Sequence, residues 1–152
     1  SASEAKELSA EAFAVFFEAR QRVVFYPGAL EVLELLAAEH RLSALTNGNA
    51  DIAAVGLAEY FSFAYSSADV GISKPAPDMF HAALRHADVN AGDTIHVGDN
   101  LVDDIAGAGQ LGIHTIWTNH ADESASNASH PPSETVGHLD DLPAAVEAIK
   151  SL

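Results

Sequence analysis

Short apolar segments alternate with helical patterns along most of this chain, and small or polar residues follow each apolar segment. That alternation constrains the fold more than any other feature. Strands joined by helix-length connections pair in parallel, and a parallel sheet needs helices on both of its faces. Residues 3–20 read as a first helix, which Ser3 can cap and whose first turn Glu4 and Glu7 suit, with Leu8, Ala12, Val15 and Phe16 at helical spacing. Tyr26-Pro27-Gly28 interrupts the pattern, and a second helix follows with Leu30, Leu33, Leu36 and Ala37 on one side, ending near His40. Strands are expected at 41–45, 63–66, 94–97 and 114–118, and further helices at 75–86, 102–111 and 142–152, with Gly112 as a C-terminal cap. Residues 119–133, rich in Ser, Asn, Ala, His and Pro, read as an exposed connection. The expected class is α/β, with a Rossmann-like parallel sheet.

Composition narrows the function. The chain has 152 residues, 48% of them hydrophobic, which suits one core. Seven Lys and Arg stand against 22 Asp and Glu, a formal charge of −15. Such a surface repels nucleic-acid backbones and anionic lipid, so neither is an expected partner. An anionic substrate would need local neutralisation, for which a divalent cation is suited. Cysteine is absent, which removes disulfides, thiolate zinc sites and thiol nucleophiles. No apolar run approaches a membrane span, and the N-terminal residues lack signal-peptide character, so a cytoplasmic location is the expectation.

Ligands of open α/β sheets bind beyond the carboxyl ends of the strands. After the strand at 41–45 come Thr46 and Asn47. The loop after 63–66 leads to Lys74 and Pro75. After 94–97 come Gly98, Asp99 and Asn100, with Asp103 and Asp104 close behind. A hydroxyl, an ammonium and a group of carboxylates are thereby delivered to one rim. Carboxylates hold Mg²⁺ through oxygen, while a lysine and a hydroxyl grip phosphate oxygens. Each piece alone has an ordinary reading: Thr46-Asn47-Gly48 as a turn, Lys74 as a solvated surface residue, Asp103 and Asp104 as acids in a helix's first turn. Their order at successive strand ends is more specific than any one of them.

The segments Leu45-Thr46-Asn47-Gly48-Asn49, Ser73-Lys74-Pro75-Ala76-Pro77-Asp78 and His96-Val97-Gly98-Asp99-Asn100-Leu101-Val102-Asp103-Asp104-Ile105 resemble motifs two, three and four of haloacid dehalogenase-type hydrolases. The resemblance implies a Mg²⁺-dependent phosphatase that acts on a small phosphate monoester (a sugar phosphate, nucleotide or flavin precursor) through an aspartyl-phosphate. By this likeness Thr46 and Asn47 bind the phosphoryl group and Lys74 neutralises it. Asp99 binds Mg²⁺, with Asp104, or at a shorter spacing Asp103, as supporting acid. The detailed wording is similar to bacterial phosphatases acting on 5-amino-6-(5-phospho-D-ribitylamino)uracil. The family's first motif, Asp-x-Asp-x-Thr, supplies the nucleophile, and no Asp-x-Asp occurs in this sequence. The resemblance therefore implies that residues 1–22 end a helical cap and that 23–152 form the C-terminal part of the α/β core. The strands ending at Thr46 and Asp99 would flank a strand outside this sequence. A metal-free dehalogenase and a catalytically inactive binding module of the same fold are the alternatives; Asp99 favours the phosphatase.

Two other signals are weaker. Gly107-Ala108-Gly109-Gln110-Leu111-Gly112 matches Gly-x-Gly-x-x-Gly, but a dinucleotide fingerprint opens a helix, whereas these glycines fall within and after one, where small residues permit close packing. The eight histidines include no pair at helical metal-ligand spacing. Trp117, Phe13, Phe16 and Phe17 read as core, with Phe16 and Phe17 also suited to line a cap pocket.

Overall fold

The computed structural model describes residues 2–48, 51–124 and 128–152, without the side chains of Ala2 and Ser3. Asn49 and the capping role expected of Ser3 lie outside that description. The element order is α1 (Ala2–Arg20), α2 (Ala29–Glu39), β1 (Leu42–Thr46), β2 (Phe61–Ser66), α3 (Ser67–Val70), α4 (Asp78–Ala87), β3 (Ile95–Gly98), a π-helical turn (Leu101–Ala106), α5 (Gly107–Gly109), β4 (His114–Thr118), β5 (Glu134–Val136) and α6 (Leu142–Lys150).

Among the described residues the strands form two parallel sheets, β2–β1 and β3–β4–β5, rather than one. Within the first, Thr46 pairs with Ser66; within the second, Gly98 pairs with Trp117. β1 and β3 share no ladder, because the inner edge of each faces a cleft.

Helices cover both faces. Val32 of α2 and Leu142, Ala145, Val146 and Ile149 of α6 pack on Ile116 and Val136. On the other side Phe80 of α4 packs with Ala108 and Ile113, and Leu45 of β1 joins them. Full burial of side chains such as Phe80 or Ile116 contributes about 2 kcal/mol each. Alternation along β4 turns Thr115 and Trp117 to the face opposite Ile116.

Some elements depart from expectation. The helix expected at 75–86 begins only at Asp78, after a turn through the cis Lys74–Pro75 peptide. The helix expected at 102–111 starts instead as a π-helical turn at Leu101, capped by the Asn100 side chain, which accepts from the N–H groups of Val102 and Asp103. β5 is only three residues long and too short to register as an apolar period. Gly112 has φ +80 after the helix, as its capping role requires. The apolar stripe of α1 stays open, with Leu8 68% and Val15 69% exposed, since periodicity names the face that seeks burial but not what covers it.

Candidate active site

Strand polarity places the carboxyl ends of β1 and β3 side by side around a cleft of about 390 Å³ lined by Thr46, Asn47, Gly48, Lys74, Gly98, Asp99, Asn100, Asp103 and Asp104. All six residues singled out in the sequence meet there, because two parallel strands and one return loop end on the same rim.

Lys74 is not a solvated lysine. Its side chain is 8% exposed, and Nζ donates to Asp104 Oδ1 at 2.5 Å and to the Leu45 carbonyl at 3.0 Å. The ammonium thus joins the β1 backbone to the turn after β3. Two of its three donors are engaged by the protein, leaving one for a ligand.

Asp104 is buried, and both of its oxygens are occupied. Oδ1 meets Lys74 and also His96 Nε2 at 3.0 Å, while Oδ2 accepts the Asn100 N–H at 3.1 Å. Burial disfavours its charge, but the hydrogen bonds from His96 and Lys74 and the Lys74 charge outweigh that and hold the carboxyl down to about 2. His96 in turn sits edge-on to Phe80, 5.1 Å between ring centres. The carboxyl rests over Gly98, where a Cβ would collide with it.

The Asn47 carboxamide is equally engaged. Its Oδ1 accepts the Lys74 N–H at 2.7 Å, and its Nδ2 donates to the Lys74 carbonyl at 2.9 Å and to Asp103 Oδ2 at 3.2 Å. It is a brace between the loop and the acids. Thr46 Oγ1 accepts the Gly48 N–H at 2.9 Å, which leaves its own proton to donate outward.

Asp99 is exposed, and among the described residues its carboxylate has no protein partner; one oxygen of Asp103 is likewise open. Hard carboxylate oxygens on the rim of a wet cleft fit a Mg²⁺-type cation, whereas Asp104, with both oxygens engaged, does not offer a free ligand. Sequence reasoning gave no role to His96, quoted only as the first residue of the fourth motif, or to the indole N–H of Trp117, whose Nε1 donates to the Asp99 carbonyl at 2.9 Å.

Features elsewhere are less suited to catalysis. Glu39, His40 and Glu147 bring ligand atoms within 4.8 Å of one another, but at the opposite end of β1, with Lys150 on Glu147 at 2.6 Å. In the glycine stretch, a Cβ on Gly107 would crowd Phe80 and Pro75, and one on Gly109 would strike His130, so the small residues serve close packing. No helix among the described residues is long and apolar enough to cross a membrane.

A family model described as haloacid dehalogenase-like hydrolase matches residues 2–112. The chain is similar to the 5-amino-6-(5-phospho-D-ribitylamino)uracil phosphatase YigB of Escherichia coli, 37% identical over 116 residues that cover 74% of this chain and 49% of that protein. It is also similar to a phosphoserine phosphatase of Thermus thermophilus, 36% identical over 125 residues that cover 76% of this chain and 49% of that one. A solved structure described as a 2-haloacid dehalogenase from Pseudomonas syringae superimposes with a TM-score of 0.94 at 41% identity, covering 97% of this chain and 64% of that one. The chain spans about half the length of the curated relatives it matches.

Proposed function

The chain belongs to the haloacid dehalogenase-like hydrolases, and from that premise we propose that its protein is a Mg²⁺-dependent phosphatase acting on a small phosphorylated metabolite. The observation that carries this reading is the convergence of Thr46 Oγ1, Lys74 Nζ and the open carboxylates of Asp99 and Asp103 on one cleft. In a chain of net charge −15, phosphate has few other places to be neutralised.

In this reading Lys74 turns its third N–H to the phosphoryl oxygens, and Thr46 donates its hydroxyl proton to another. Asn47 contributes its main-chain N–H while its side chain holds Lys74 and Asp103 in register. Asp99 and Asp103 hold the cation, and Asp104 supports the site through Lys74 rather than by direct ligation. Bound there, Mg²⁺ would offset phosphoryl charge during transfer. A carboxylate from outside residues 1–152 attacks phosphorus in line, from a strand seated between β1 and β3. The edges of those two strands, unpaired with each other across the cleft, support that placement. Residues 1–22 belong to the end of a cap and 23–152 to the core. The likeness to the 5-amino-6-(5-phospho-D-ribitylamino)uracil phosphatase favours a phosphorylated precursor of that kind, within a wider proposed class of sugar phosphates and nucleotides.

A dehalogenase is the second reading, favoured by the 41% identity to the structure described as one. The open acids Asp99 and Asp103 weigh against a metal-free reaction. The deciding assay gives the whole protein a phosphate monoester with Mg²⁺ or with chelator, and in parallel a 2-haloacid. Chelator-sensitive phosphate release that is lost in Asp99→Asn is expected. Halide release without metal, and no phosphate release, would establish the dehalogenase instead. Residues 1–152 alone should turn over neither substrate.

A further inference from the structure

Trp117 is the chain's one tryptophan, 3% exposed on β4. Packing explains the burial of its rings. It does not explain where the indole N–H goes. That group donates to the main-chain carbonyl of Asp99 at 2.9 Å.

The position of this bond matters. Trp117 pairs with Gly98 in the last step of the β3–β4 ladder, so Asp99 is the first residue beyond it. A peptide past the end of a ladder loses its strand partner and regains rotation about its φ and ψ. The indole replaces the missing partner. The N–H of the same peptide unit, that of Asn100, donates to the Asp104 carboxyl at 3.1 Å. The Asp99–Asn100 peptide plane is therefore held at both its carbonyl and its N–H, while the Asp99 carboxylate itself is left without a protein partner among the described residues.

We propose that Trp117 is a positioning residue for cation binding: its N–H fixes the Asp99 peptide and thereby aims the Asp99 carboxylate into the cleft. This rests on the reading of Asp99 as a metal ligand. A ligand held in place by an outer hydrogen bond loses less freedom on binding than one on a loose turn, and removing such a bond weakens metal affinity about 10- to 100-fold.

The test uses the whole protein with Trp117→Phe, which keeps an aromatic ring and removes the donor, beside Asp99→Asn. Mn²⁺ affinity is measured by titration calorimetry or electron paramagnetic resonance, and folding by thermal melting. A folded Trp117→Phe variant with Mn²⁺ affinity about tenfold lower is expected, as is loss of binding in Asp99→Asn. In the wild type, the Trp117 indole ¹H–¹⁵N resonance should shift on Mg²⁺ saturation, and in Asp99→Asn it should not. Unchanged Mn²⁺ affinity in Trp117→Phe, with binding lost in Asp99→Asn, overturns the role of Trp117 and leaves the metal assignment standing. Unchanged binding in Asp99→Asn overturns both. Should Trp117→Phe fail to fold, the wild-type indole resonance decides: no shift with saturating Mg²⁺ ends the proposal.

Discussion

The Lys74 ammonium and the Asp104 carboxylate lie 2.5 Å apart, each side chain only 8% exposed. One member comes from the loop before α4 and the other from the turn after β3, so the pair ties together the halves of the fold that carry the two sheets. Removing the lysine leaves the buried Asp104 charge held only by His96 and the Asn100 N–H, which costs up to about 3–5 kcal/mol. Lys74→Met should therefore lower the unfolding free energy by that order as well as abolish turnover. Denaturant titration of the variant checks it; a midpoint equal to wild type would show that the pair contributes nothing to stability.

Asp104 should leave a mark on acid stability. Its folded carboxyl sits at about 2, below an ordinary value of 3.8. A depressed acid stabilises the fold fully above its unfolded value, and the contribution disappears as pH falls through the folded value. The window is thus from about pH 4 to about pH 2, and the contribution is about 2 kcal/mol. Comparing wild type with Asp104→Asn by denaturant unfolding at several pH values, the gap between them should narrow as pH falls across that window. Parallel curves would refute the linkage.

Asn47 tests whether bracing matters more than direct contact. Asn47→Ala removes three hydrogen bonds that hold the Lys74 backbone and Asp103. The expected cost is about 1–3 kcal/mol of stability. Turnover should fall because Lys74 and the acids lose their mutual register. Asn47→Asp keeps the acceptor for the Lys74 N–H but not the donors, and should recover only part. If Asn47→Ala changes only the KM, the side chain contacts substrate instead.

Gly98 should tolerate no side chain. A methyl group there would collide with the Asp104 carboxyl, and that carboxyl is held by Lys74, His96 and the Asn100 N–H. Gly98→Ala is expected to cost about 1–3 kcal/mol by overpacking and to weaken catalysis by displacing Lys74. A melting temperature and kcat/KM matching wild type would show that the turn can shift freely.

The features legible along the chain are local in origin. The run His114-Thr115-Ile116-Trp117-Thr118 is a strand over its whole predicted length because its buried residues are consecutive. Thr46 and Asp99 were legible as rim residues because a strand's end and the rule that ligands gather there can both be read along the chain. What those residues touch depends on packing between distant elements. Lys74 reads as a surface lysine until the fold brings Asp104, 30 positions away, onto its ammonium. Asn47 reads as a turn residue until its carboxamide meets the Lys74 backbone 27 positions on. His96, hidden among eight histidines, and the indole N–H of Trp117 acquire their roles the same way. Periodicity and turn chemistry act between near neighbours, whereas these hydrogen bonds join groups whose approach depends on how whole elements pack, and no spacing in the sequence encodes that distance.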